Sequence, residues 1–193
     1  MSQRPLLKTT LQVSLLAGLV TGLWYFAARQ AQARQLPPQQ TVAEVDTDRI
    51  MGTWYELARY PNFFQREDWV GARDHYEPLE NGQFKVFYRY HPGSLEAPEK
   101  SMEARMWREP SEQGGRFKIQ FFWPFVADYW IIDRGDDYEY LVIGYPDRSM
   151  LWIMSRERSL PKATWDQILE RLKAQHYDPA RLIDVPQTAA QPD

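Results

Sequence analysis

Between residues 50 and 156 apolar and polar side chains exchange places at nearly every step, and this alternation constrains the fold more than any other feature. Phe84, Val86, Tyr88 and Tyr90 are interleaved with Lys85, Phe87 and Arg89. Met102, Ala104 and Met106 are interleaved with Glu103 and Arg105. Phe117, Ile119 and Phe121 are interleaved with Arg116, Lys118 and Gln120. A period of two belongs to strands with one buried and one wet face. Residues 52–60, 70–76, 129–133, 138–145 and 150–156 have similar strand character. Asn81-Gly82, Gly114-Gly115, Gly135-Asp136 and Pro146-Asp147 supply turns. Eight strands at such short spacing predict an all-β, antiparallel, up-and-down barrel. Closure removes the exposed edges that make sheets aggregate, and eight strands enclose room for one small ligand.

One helix follows. Trp165, Ile168, Leu169 and Leu172 form a single apolar stripe, with Ser159 and Pro161 at its start and Asp178-Pro179 at its end. Such a helix packs on the outside of the sheet. A last short strand is predicted over 181–185.

The aromatic fraction is 15 %, with 8 Trp, 11 Tyr and 9 Phe, which suits pleated surfaces and apolar pockets. Residues 1–33 hold three bases (Arg4, Lys8, Arg29) and no acid, and the remainder carries 20 bases against 26 acids. An acidic domain without a basic stripe repels phosphate backbones, so no nucleic-acid partner is expected. There is no cysteine, which excludes disulfides, thiolate metal sites, cysteine nucleophiles and acylation of an N-terminal cysteine.

Ahead of the strands, Leu11 to Ala28 carries no charge and is followed by Ala31-Gln32-Ala33. A basic start, an apolar stretch and a small-x-small site make the pattern of a secretory signal. The stretch is also just long enough to cross a bilayer, and Trp24 and Tyr25 near its end suit a membrane interface. Residues 1–33 therefore fit either a cleaved signal or a retained membrane anchor. Both place the rest of the chain in the periplasm or cell envelope. Residues 34–43, with Pro37-Pro38, are expected to be a linker, 44–186 the folded domain, and 187–193 a disordered tail.

Four sequence pieces carry a family resemblance. Gly52-Thr53-Trp54-Tyr55-Glu56 resembles the G-x-W signature opening the first lipocalin strand. Asp136-Asp137-Tyr138-Glu139-Tyr140 lies at the family's D-Y turn. Phe121-Phe122-Trp123-Pro124-Phe125, and Pro146-Asp147-Arg148 followed by residues 151–156, are similar to the bacterial outer-membrane lipocalins. The order and the terminal helix agree across nearly all of residues 44–186. The resemblance implies structural roles for three residues: Trp54 closes the barrel floor, Arg156 lies over its ring, and Gly52 allows close backbone approach. Two departures stand out. The lipobox cysteine of that group is absent, so an acyl anchor is not available. Trp123 stands where glycine is usual, an exchange expected to narrow that end of the barrel.

If Arg156 reaches inward to Trp54, parity brings Trp152 and Met154 with it. The candidate ligand-binding residues are then Phe84, Val86, Tyr88, Tyr90, Met102, Met106, Phe117, Phe121, Tyr140, Trp152 and Met154. Tyr138 is expected to share the face of Tyr140. An aromatic and Met-rich lining suits an acyl chain with a small polar head, such as a fatty acid or lysophospholipid. The same residues also serve simply to fill a small barrel. Glu56 and Arg59 near the first strand could meet a head group, but a solvated ion is the expected role of each.

No catalytic residue, metal site or cofactor is expected. His75, His91 and His176 are scattered, no G-x-S-x-G elbow occurs, and Asp136-Asp137 suits a turn. The sequence points to non-catalytic binding and transport of a small hydrophobic molecule. An enzyme on the same fold is one alternative, with Glu56 and Asp74 as its buried acids. An envelope interaction scaffold is another, marked by an exposed apolar patch on the wall or rim.

Overall fold

The computed structural model describes residues 36–110 and 114–187. The apolar segment 11–28, the small-x-small site at 31–33 and residues 188–193 lie outside the described residues. Among the described residues, no helix is long and apolar enough to cross a membrane.

A short helix α1 (Thr47–Ile50) leads into eight strands: β1 (Gly52–Arg59), β2 (Trp69–Pro78), β3 (Phe84–Pro92), β4 (Lys100–Arg108), β5 (Arg116–Phe122), β6 (Phe125–Arg134), β7 (Tyr140–Gly144) and β8 (Leu151–Ser155). Helix α2 (Lys162–Ala174), a 3-10 turn (Pro179–Arg181) and β9 (Ile183–Asp184) complete the fold. Each strand pairs antiparallel with the next, and β1 pairs with both β2 and β8, so the eight-stranded meander closes on itself. The strand order follows the alternation in the sequence. Helix α1 was not expected. Asp46 caps it by accepting a hydrogen bond from the Asp48 N–H at 3.0 Å.

Because the strands alternate in direction, the connections fall into two groups. Helix α1 and the β2–β3, β4–β5 and β6–β7 loops gather at one end. The β1–β2, β3–β4, β5–β6 and β7–β8 loops gather at the other. The first end is the floor. Trp54 is fully buried there and donates its ring N–H to the Ile50 carbonyl at 2.8 Å. The Arg156 guanidinium lies 3.8 Å from the Trp54 ring centre and donates to the Thr53 carbonyl at 2.9 Å. Gly52 has φ +86°, a left-handed conformation that favours glycine. A Cβ there would meet Arg156 only at ordinary contact distance, so backbone conformation, not close approach, explains this glycine.

The inner face buries Trp54, Phe84, Val86, Ala104, Met106, Phe117, Ile131 and Met154 in one cluster. A second cluster lies outside the wall. Ala58, Tyr140, Val142, Leu151 and Ile153 pack there against Ile168 and Leu172 of α2, as the apolar stripe requires. Tyr140 therefore faces away from the interior and is corrected as a candidate ligand residue. Its hydroxyl donates to Asp133 and receives a bond from Arg171 at 2.7 Å. Tyr138 does face inward, because its φ of +54° places it in a turn where strand parity does not hold. Leu141 and Ile143 take the inner positions of β7.

Residues on either side of the expected domain make contacts with it. Part of the expected linker is docked on the barrel. The Val42 N–H bonds the Ile131 carbonyl, the Gly114 N–H bonds the Ala43 carbonyl, and buried Gln39 bonds Gln175. Gln187, expected in the tail, is buried instead. Its side-chain amide donates to the carbonyls of Glu56 at 2.6 Å and Ala72 at 2.9 Å. Together with Val185 N–H to Leu57 carbonyl and Gly71 N–H to Pro186 carbonyl, it straps the upper part of the β1–β2 seam, beyond the Tyr55–Arg73 pair.

Candidate functional site

Above the floor cluster the inner wall changes character. Trp69, Tyr90, Met102, Phe121 and Trp152 are packed against the buried clusters yet keep partly exposed surface. All five stand within two residues of the mouth ends of their strands. The upper part of the interior is therefore open to solvent through the mouth. Trp69 and Tyr90 stack with ring centres 3.6 Å apart, and Tyr88 joins them at 5.5 Å from Tyr90, forming one aromatic wall.

Of the candidates named from sequence, Phe84, Val86, Tyr88, Tyr90, Met102, Met106, Phe117, Phe121, Trp152 and Met154 all belong to the inner clusters. They divide by depth. Phe84, Val86, Met106, Phe117 and Met154 are buried near the floor, where they fill the core. Tyr90, Met102, Phe121 and Trp152 border the open part, and Tyr88 stands between the two groups.

Glu56 and Arg59 are not solvated. Both are buried inside the barrel, with Arg59 donating to the Glu56 carboxylate at 2.8 Å and to the Arg66 carbonyl at 2.6 Å. A bulge between Glu56 and Ala58 in the β1–β8 pairing turns Arg59 to the inner side. Burial pushes the Glu56 carboxyl up, against the pull of Arg59 and Gln65. Gln65 enters from the β1–β2 loop and lies across the mouth. It donates to Glu56 at 3.0 Å and to the Tyr88 hydroxyl at 2.8 Å, and accepts from the Trp152 ring N–H at 2.8 Å. Asn62 holds this loop by accepting the Phe64 and Gln65 N–H groups. The mouth is thus partly covered by a polar latch.

A second polar line runs below it. The Tyr76 hydroxyl donates to Asp74 at 2.8 Å and lies 2.6 Å from the Tyr129 hydroxyl. Asp74 is partly exposed although it sits on the inner face between Trp54 and Tyr88, so it too borders open space. Burial, with the Glu56 charge nearby, pushes its carboxyl up to about 7, against the Tyr76 hydrogen bond. Alternation could have placed this acid: Arg73, His75 and Glu77 mark the outer face of β2, leaving Ala72, Asp74 and Tyr76 inside. Gln65 carries no comparable signal, because a loop has no periodicity.

The rim is apolar. Among the described residues the strongly exposed large hydrophobics are Phe63 (93 %), Phe64, Phe122 (67 %), Trp123 (85 %), Phe125 (78 %) and Val126. All lie in or beside the β1–β2 and β5–β6 loops at the mouth. Trp123 points outward, so it does not narrow the barrel. A separate open groove of about 460 Å³ on the outer wall is lined by Val42, Ala43, Glu44 and charged residues, including Asp133 and Arg171. It has no apolar wall to hold a lipid. No cluster of potential metal ligands occurs among the described residues.

A lipocalin-like domain model matches residues 45–187. The chain belongs to the lipocalin family. It is 28 % identical over 162 residues to temperature-induced lipocalin-1 of Arabidopsis thaliana, covering 80 % of this chain and 86 % of the relative. It is 30 % identical over 150 residues to the outer membrane lipoprotein Blc of Vibrio cholerae, covering 76 % and 85 %. Among solved structures, insecticyanin from Manduca sexta superposes with a TM-score of 0.64 at 19 % identity, over 80 % of this lipocalin and 87 % of that chain. The resemblance to bacterial outer-membrane lipocalins thus holds across most of this lipocalin.

Proposed function

We propose that this lipocalin is a non-catalytic carrier of single-chain lipids, such as fatty acids or lysophospholipids, working at the cell envelope. The observation that carries the reading is the graded interior. The floor is filled, while the upper half is walled by aromatic and methionine side chains with open space between them. An acyl chain laid along Tyr90, Met102, Phe121 and Trp152 gains about 0.8 kcal/mol for each buried methylene. The exposed aromatics at the rim give the mouth a face suited to a lipid surface, from which the cargo would be taken. The similarity to proteins named outer membrane lipoproteins and the N-terminal apolar segment support an envelope location.

The test is titration with a long-chain fatty acid and, separately, a lysophospholipid, followed by Trp fluorescence. Trp152 borders the open space, so saturable change near one equivalent is expected. It should weaken when Ala104 is replaced by Phe, which fills the interior. Absence of saturable binding by every single-chain lipid tried would overturn the reading.

One observation favours a second reading. Asp74 is a half-buried acid whose carboxyl is pushed up to about 7, a range an enzyme on this fold would need. Incubation with lipid followed by mass spectrometry of the recovered molecule separates the two: a carrier returns it unchanged.

A further inference from the structure

Asp74 lacks a cation. Its Oδ2 accepts from Tyr76, and no hydrogen bond from a described residue reaches its Oδ1. The charged groups around it are few. Glu56 is paired with Arg59, whose other terminal nitrogen is bound to the Arg66 carbonyl. Arg156 is held below the floor by Trp54 and the Thr53 carbonyl. Tyr76, Tyr88 and Tyr129 are neutral phenols whose ionisation burial pushes up. Arg59 is thus taken by Glu56, and no cation from a described residue faces Asp74. When Asp74 is ionised, this part of the interior carries one uncompensated negative charge beside open space.

We propose that Asp74, with Tyr76 and Tyr129 beside it, is the head-group site of the barrel, and that it selects single-chain lipids whose head is an ammonium. This rests on the carrier reading above. An ammonium supplies both missing elements, a donor to Oδ1 and a positive charge. An alcohol supplies the donor alone. A carboxylate places a second negative charge where no free cation lies, which is costly at the reduced dielectric of an interior. The filled floor leaves the alkyl chain one direction, up toward the mouth. From Asp74 to Trp69 the wall rises about 15 Å at ~3.3 Å per residue, enough to sheathe a medium-length chain. The lipid therefore sits head inward, its tail end near the apolar rim.

The experiment matches chain length and varies the head. The full-length protein is titrated with dodecylammonium, dodecanol and dodecanoate at pH 8, below micelle formation, with Trp fluorescence as readout. The expected order is ammonium, then alcohol, then carboxylate, with the first at least roughly tenfold tighter than the last. In the wild type at pH 5, where Asp74 takes up a proton and neither the ammonium nor the alcohol head titrates, the preference for dodecylammonium over dodecanol should shrink. Asp74→Asn should shrink it in the same way at pH 8. Stoichiometric binding with equal affinities, or with dodecanoate tightest, overturns the head-group site while leaving the carrier intact. Saturable binding of none of the three overturns both. The pH comparison needs no variant, so misfolding of Asp74→Asn would not spare the proposal.

Discussion

Replacing Asp74 with asparagine removes a charge while keeping the size of the side chain and an oxygen for the Tyr76 hydroxyl. The carboxyl stands at about 7 in the folded protein against an ordinary 3.8. The folded state therefore keeps a proton that the unfolded chain has already released. Between those values the folded state binds more protons, so stability falls as pH rises from about 4 to about 7, and the loss is complete above that window. Converted at ~1.4 kcal/mol per pH unit, the ionised carboxyl costs about 4 kcal/mol. The partial exposure of the side chain discounts this to about 2–3 kcal/mol. Asp74→Asn lacks the penalty. It should match the wild type near pH 4 and exceed it by about 2–3 kcal/mol at pH 8. Urea unfolding of both proteins at pH 4.5, 6 and 8, followed by Trp fluorescence, measures the difference. A stability difference independent of pH, or a variant less stable at pH 8, would refute the claim that this carboxyl is a buried, uncompensated charge.

Three further outcomes are expected. Arg59→Met leaves Glu56 buried without its partner and should cost about 3–5 kcal/mol at pH 8 in urea unfolding, less at low pH where Glu56 takes up a proton. Trp54→Ala empties the floor and strips Arg156 of the ring it covers. A loss of about 3–5 kcal/mol is expected by the same assay. Replacing Phe63, Trp123 and Phe125 together with serine should leave the midpoint of unfolding within about 0.5 kcal/mol of wild type, because all three are exposed. In a chain starting at Arg34, without the apolar segment, it should abolish co-sedimentation with phospholipid vesicles.

The fold was legible wherever one face of a strand is wet. Lys85, Arg89, Glu103, Arg105, Arg116 and Lys118 fixed the parity of β3, β4 and β5, and every residue assigned inward from them is inward. Legibility failed where backbone geometry departs from regular pairing. At Tyr138 a left-handed turn breaks the alternation, and Tyr140 was carried to the wrong side with it. At the bulge near Leu57 the parity of β1 shifts, so Arg59 turned out buried, not solvated. The candidate site was half visible: its apolar wall follows from periodicity, and Asp74 from the charged residues flanking it. The latch at Gln65 and the pairing of Glu56 with Arg59 depend on a loop and a bulge that no local pattern announces. The outward turn of Trp123 was equally hidden, because a residue in a hairpin connection has no face until the connection is built.

The strap at residues 185–187 sets an order of events in the cell. Gln187 reaches back 131 positions to clasp the Glu56 carbonyl. Those residues emerge from the ribosome long after the strand they secure. Until then the seam between the first two staves is closed only from Gly52 to Tyr55, and its upper part lacks its clasp. Contacts so distant along the chain form slowly and leave partly folded forms prone to clump. A chain still being translated has no vessel in which to hold a lipid.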